Sequence, residues 1–87
     1  MNLTQSEKVA LQAAFKSADG NGHDFGCVED VTADLRPMKA QAVGALVSSL
    51  VKKGVLRVHD AVTTDSGTWT QFTWSKEVSE IEALCKE

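Results

Sequence analysis

Residues 38–60, MKAQAVGALVSSLVKKGVLRVHD, constrain the fold more than any other stretch, because an amphipathic helix ends there at a glycine and passes directly into a strand. Val43, Leu46, Val47 and Leu50 keep the i, i+3, i+4, i+7 spacing of a single helical face. Lys52 and Lys53 fall in the last turn, where the carbonyl end of the helix dipole favours cations, and Gly54 supplies the left-handed residue that stops the helix. Residues 55–59, VLRVH, then read as a β-branched strand. A helix is therefore predicted over 38–53, with a strand following it and no loop between.

The flanking segments extend this pair into an order of elements. Thr4 and Glu7 have the spacing of a capping box, which predicts a first helix over 4–17 with Leu11, Phe15 and Ala18 inward. Asp19, Gly20, Asn21 and Gly22 end it. Phe25, Gly26 and Cys27 suit a short strand before a second helix over 28–35, whose Val28, Val31 and Leu35 repeat at helical spacing. Pro37 breaks the chain and is expected at the start of the third helix. After Gly54 the period changes to two, with Leu56 and Val58 on one face of the first strand and Thr70, Phe72 and Trp74 on one face of a second, over 68–74. Residues 60–67 form the polar turn between them. Ser75 is placed to cap a final helix reaching Lys86, with Val78, Ile81 and Cys85 as an apolar stripe that Leu84 widens.

An 87-residue chain is expected to form one domain, with a core over 1–74 and the C-terminal helix over 75–87. A chain of this length buries about 60–65% of its unfolded surface. It has no apolar run of membrane-spanning length and no signal-peptide pattern, so a cytoplasmic location is expected, with Cys27 and Cys85 as reduced thiols.

The helix that ends in Lys52-Lys53-Gly54 and runs into a strand resembles the third helix and following strand of MarR-like repressors, and the order of elements over residues 3–74 is similar to that of winged helix-turn-helix domains. The resemblance implies an α+β fold with a three-helix core, a two-stranded β-hairpin wing and an added C-terminal helix. It further implies a protein that binds double-stranded DNA in transcriptional control and places its third helix in the major groove, and the lack of a catalytic or phosphate-loop motif leads to the expectation of a non-enzymatic protein without a cofactor. With the apolar stripe inward, the outward line of that helix is Gln41, Ala45, Ser48 and Lys52. Gln41 can read adenine and Ser48 can donate or accept, whereas Ala45 offers contact only to a thymine methyl. Arg36, Lys39, Lys53 and Arg57 are the expected phosphate contacts. The wing tip carries Thr63, Thr64, Asp65 and Ser66, of which Asp65 repels phosphate.

Charge along the chain is uneven. Residues 1–34 hold two lysines against six acids, a net of −4; residues 35–59 hold five cations and no acid, a net of +5; residues 60–87 again hold two lysines against six acids, a net of −4. A basic centre thus lies between acidic arms, and the overall −3 weakens long-range steering towards nucleic acid. The alternative is a protein–protein interaction module, for example a phage or mobile-element accessory protein, that does not bind DNA. Ala40, Gly44 and Ser48, spaced at i, i+4, i+8, would let another chain approach the third helix closely. A homodimer would use Trp69, on the outer face of the hairpin, or the Val78, Ile81 and Cys85 stripe of the last helix.

Residues 19–30 carry part of an EF-hand pattern. Asp19 and Asn21 are acceptable ligands, but His23 stands at the fifth position, Asp24 where glycine is needed and Asp30 where a bidentate Glu is needed. A turn rich in Asp, Asn and Gly accounts for the same residues, and no metal site is expected. His23 and Cys27 lack a second ligand pair. Cys27 sits where a helix start lowers a thiol pKa, without an identifiable base. Gly20, Gly22 and Gly26 do not follow an apolar strand as a phosphate loop requires.

Overall fold

Thr4 opens the first helix through the capping box its sequence predicts. Its side-chain oxygen accepts the Glu7 backbone N–H at 3.1 Å, while the Glu7 carboxylate accepts the Thr4 N–H at 2.7 Å. The structure, a computed structural model, describes residues 2–20, 22–65 and 67–86, so the expectations for Asn21, Ser66 and Glu87 lie outside the described residues. Among the described residues four helices and five short strands follow one another: α1 (Gln5–Asp19), β1 (Phe25–Cys27), α2 (Val28–Asp34), α3 (Ala40–Lys52), β2 (Leu56–Val58), β3 (Val62–Thr64), β4 (Gly67–Trp69), β5 (Gln71–Trp74) and α4 (Val78–Lys86). The fold is α+β. Strands β1 and β2 flank β5 in an antiparallel sheet, and β3 pairs with β4 in a separate two-stranded ladder. Among the described residues no helix is long and apolar enough to cross a membrane.

α1 packs against α2, α3, α4 and β1. Its buried Ala10, Leu11 and Ala14 meet Val31, Val43, Val47 and Leu50 from α2 and α3, and Leu56 and Phe72 from the sheet. The closest approach lies under the central strand. A Cβ on Gly26 would stand 2.5 Å from the Phe72 ring, which is itself fully buried. Only glycine lets β1 pair with β5 above that ring.

The handover after α3 is a Schellman turn. Gly54 takes a positive φ of 75°, its N–H donates to the Val51 carbonyl at 3.0 Å, and the Val55 N–H donates to the Leu50 carbonyl at 3.0 Å. Val55 was expected in the strand. It is instead the buried residue of this turn, and its carbonyl accepts the Ser75 N–H at 3.0 Å, so β2 begins one residue later.

Other local expectations change as well. α1 continues to Asp19, two residues beyond its predicted end. α3 begins at Ala40, with Lys39 as its extended N-cap, because residues 35–38 close a turn in which the Met38 N–H donates to the Leu35 carbonyl at 2.9 Å. Pro37 belongs to that turn and does not start the helix. The second strand over 68–74 is interrupted at Thr70, whose carbonyl accepts the Val28 N–H at 2.8 Å and whose N–H donates to Glu29 Oε1 at 2.7 Å. The predicted polar turn over 60–67 is shortened, since Val62 pairs with Trp69 and Thr64 with Gly67. α4 begins at Val78, where Glu77 provides the carbonyl for the Ile81 N–H at 3.1 Å, so Ser75 is not its cap.

A buried ionic cluster joins α1 to the end of α3. The Glu7 side chain is almost fully enclosed, with Lys53 Nζ 2.6 Å from Oε1 and the Ser49 hydroxyl donating to Oε2. Lys53, then Ser49 and the Thr4 N–H, all favour the carboxylate, and together they lower the Glu7 pKa from 4.5 to about 2. A depressed folded-state pKa adds stability that is complete above the unfolded value and is lost as pH falls. The thermal midpoint should therefore drop between about pH 4.5 and about pH 2, and Glu7→Gln should be less stable at neutral pH and show a shallower acid limb in the same range. Gly26→Ala should destabilise the fold by about 1–3 kcal/mol in urea unfolding, because the added methyl group must displace Phe72.

Candidate functional site

The residues expected to contact DNA separate into three groups. Gln41, Ser48 and Lys52 are exposed on one side of α3, joined by the equally exposed Ala40, Gly44 and Ala45, while Val43, Val47 and Leu50 are buried on the other. Arg36 and Lys39 are exposed where the chain enters this helix. These five predicted residues are all exposed along α3 or at its entry. With 13 residues, α3 is about 20 Å long, and its N-cap Lys39 and last residue Lys52 bracket a stretch free of charged side chains.

Arg57 stands elsewhere. It is the exposed middle residue of β2, paired with Thr73, and strand alternation puts it on the opposite sheet face from Leu56 and Val58. Its neighbour there is His59, whose Nε2 lies 2.9 Å from Thr73 Oγ1. Lys53 is committed to the fold. Its ammonium donates to Glu7 Oε1 at 2.6 Å and to the Asn2 carbonyl at 2.9 Å. The two adjacent lysines, indistinguishable in sequence, thus differ because only the second turns back towards α1.

A shallow, open groove of about 360 Å³ runs beside the exposed side of α3. Gly44, Val47, Ser48 and Val51 form one wall, and Val28, Val58 and Thr70 form the other. Val58 was expected on the same strand face as Leu56. It is 40% exposed, whereas Leu56 is 2% exposed, because β2 runs past the end of the helical core at that point. Val51, at 37%, is the matching exposed apolar residue of α3. Sequence reasoning noted the small residues of α3 but not this groove, whose far wall comes from α2, β2 and the Thr70 interruption.

The surfaces expected to pair two copies are placed unevenly. Ile81 is fully buried and Leu84 nearly so in the chain's own core, with Cys85 packed against them, so this stripe of α4 is taken up within the molecule. Gln12 Nε2 also donates to the Cys85 carbonyl at 2.8 Å, fastening α4 to α1. Val78 remains exposed at the start of α4, and Trp69 is half-buried beside Val62 on the β3–β4 ladder.

The polar loop after α1 is organised around His23. Its ring stacks on Phe15 with centroids 4.5 Å apart, its Nε2 lies 3.1 Å from Asp19 Oδ1, and its carbonyl accepts the Trp74 indole N–H at 2.7 Å. Asp30, the expected last ligand, instead accepts the Ser17 hydroxyl at 3.3 Å. Among the described residues no group of three or more His, Cys, Asp or Glu is arranged to hold a metal ion. Cys27 does not have the lowered pKa expected beside a helix start. Burial raises it, and the nearby Asp30 and Glu29 carboxylates raise it further, so the thiol stays protonated at neutral pH. Burial and Glu82 raise Cys85 in the same way, and both cysteines are free.

No family model matches this chain, and comparison with curated proteins finds no relative.

The two lysines at the end of α3 should separate in a denaturation experiment. Lys53→Gln should lower the urea midpoint, since it leaves the enclosed Glu7 carboxylate without its cation, whereas Lys52→Gln, on an exposed side chain, should change stability by less than about 0.5 kcal/mol.

Proposed function

We propose that the protein is a small winged helix-turn-helix module that binds double-stranded DNA with modest sequence readout, in transcriptional control. α1, α2 and α3 would form the three-helix core and the strands from β2 to β5 the wing. α3 would occupy the recognition position. The observation that carries this reading is the exposure of Arg36, Lys39, Gln41, Ser48 and Lys52 along α3 and its entry, which offers three cations and two base-reading side chains with no carboxylate between them in the chain. Arg57, on the other sheet face, would add a fourth phosphate contact only where the duplex bends round to it.

Modest readout follows from side-chain size. Between Gln41 and Ser48 the helix presents alanine and glycine, which position a backbone but discriminate few bases. Affinity would come mainly from phosphate neutralisation and so would fall with salt. The apolar groove favours a second reading, a protein-docking module without DNA, because valines at a phosphate-facing surface gain nothing from a duplex.

Fluorescence anisotropy with random and genomic duplexes at several salt concentrations separates the two. DNA binding through three or four cations gives a slope of log affinity against log salt of about −2.7 to −3.6. Lys52→Gln should flatten that slope by about 0.9 and Lys53→Gln should leave it unchanged, because the Lys53 ammonium is already paired. Absence of binding at low salt would exclude the first reading and leave the docking module.

A further inference from the structure

We infer that the sheet face turned away from the core binds a single strand of nucleic acid through Arg57, Thr73 and His59. Residues directly opposite one another in antiparallel strands share a face. Thr73 of the central strand pairs with Arg57 of β2, while the next pair, Phe72 and Val58, points to the other side, where Phe72 is fully buried. Arg57 and Thr73 therefore stand on the outer face. His59 joins them: its backbone N–H donates to the Gln71 carbonyl at 2.9 Å, continuing the run of β2 along β5, and its Nε2 lies 2.9 Å from Thr73 Oγ1. Arg57 and His59 are exposed, and Thr73 and Gln71 are half-buried between the strands.

The chemistry of these side chains is that of a phosphodiester with its base. The guanidinium presents paired N–H donors to phosphate oxygens. A His59 ring that carries its proton on Nε2 donates it to Thr73 Oγ1, which leaves the Thr73 hydroxyl proton for a phosphate oxygen. The imidazole and guanidinium planes are surfaces on which a base stacks, and the Gln71 amide pairs with a base edge. Charge confines the strand to the β2 side of the face. Neither the Arg57–Thr73 pair nor the His59–Gln71 pair contains a carboxylate. Glu29 and Asp30 lie near Cys27, across β5 from β2, and Asp24, Glu77 and Glu80 line with Lys76 an open cleft beyond Thr73. Asp60 follows His59 and bounds the third side. The site shares no cation with α3, because Val58, which borders that helix, points to the opposite face from Arg57. A duplex seated on α3 is too stiff to turn onto this face, whereas a single strand needs the sheet alone.

The test is titration of the isotope-labelled protein at low salt with a DNA strand of about eight nucleotides and mixed sequence, beside an abasic strand of the same length, inorganic phosphate and a duplex. The expected result with the single strand is saturable amide shifts at Arg57, His59, Gln71 and Thr73. The abasic strand should bind roughly tenfold more weakly, because stacking is lost. His59→Ala should weaken the intact strand roughly fivefold, and Arg57→Gln should flatten its slope of log affinity against log salt by about 0.7. Both side chains are exposed, so the thermal melts of these variants should match that of the parent. Lys52→Gln, on α3, should leave single-strand binding unchanged. Shifts confined to α3, equal binding of intact and abasic strands, or a salt slope unchanged by Arg57→Gln would overturn the inference. So would a duplex that shifts the same four residues as strongly as the single strand does.

Discussion

The Schellman turn at Gly54 is the constraint on which the rest of the structure depends. It reverses the chain within two residues of α3, buries Val55 beside Leu50, and starts β2 alongside the helix it has just left. Three separate parts of the chain are tied to this corner. Lys53 reaches the Glu7 carboxylate at the start of α1, Ser49 donates to the same carboxylate, and the Val55 carbonyl accepts the Ser75 N–H after β5. Because one corner holds the first helix, the third helix and the end of the sheet, the exposed side of α3 has a fixed orientation relative to β2.

That orientation produces the groove. Leu56 lies over the helical core, but one pleat further Val58 has passed its edge, and the space between it and Val51 stays open. Thr70 closes the far end by leaving the sheet. Its backbone is claimed by Val28 and Glu29 at the start of α2, which separates β4 from β5. The concavity beside α3 thus comes from a hydrogen-bonding competition that α2 wins over the strand. Its two exposed valines make an apolar surface that borders the side of α3 proposed to meet DNA.

Charge shows why position in the fold outweighs composition. The basic centre of the chain contains five cations, yet they have three different surroundings. Arg36, Lys39 and Lys52 are free along α3, Arg57 lies across the sheet beside His59 and Thr73, and Lys53 is spent on holding Glu7 ionised. The cysteines give the same lesson with opposite sign. A helix start alone favours a thiolate at Cys27, but burial and two neighbouring carboxylates outweigh it.

Local signals determined a large part of this protein directly from sequence. The Thr4–Glu7 capping box, the inward Val43, Val47 and Leu50 of α3, the stop at Gly54 and the alternation around Phe72 all depend on residues within a few positions of one another, and each is present in the structure. Boundaries were less legible where a distant partner decides them: Pro37 sits in a turn before α3, Val55 leaves the strand for the core, and Thr70 leaves it for α2. The candidate site was legible as a list of exposed side chains on α3, because helical periodicity sorts inward from outward. Tertiary structure alone decided that Lys53 and Ile81 are unavailable, that Arg57 faces away from Lys52, and that Val58 borders a groove. Those outcomes depend on contacts between residues tens of positions apart, such as Glu7 with Lys53 and Thr70 with Glu29, and no periodicity within a single element encodes them.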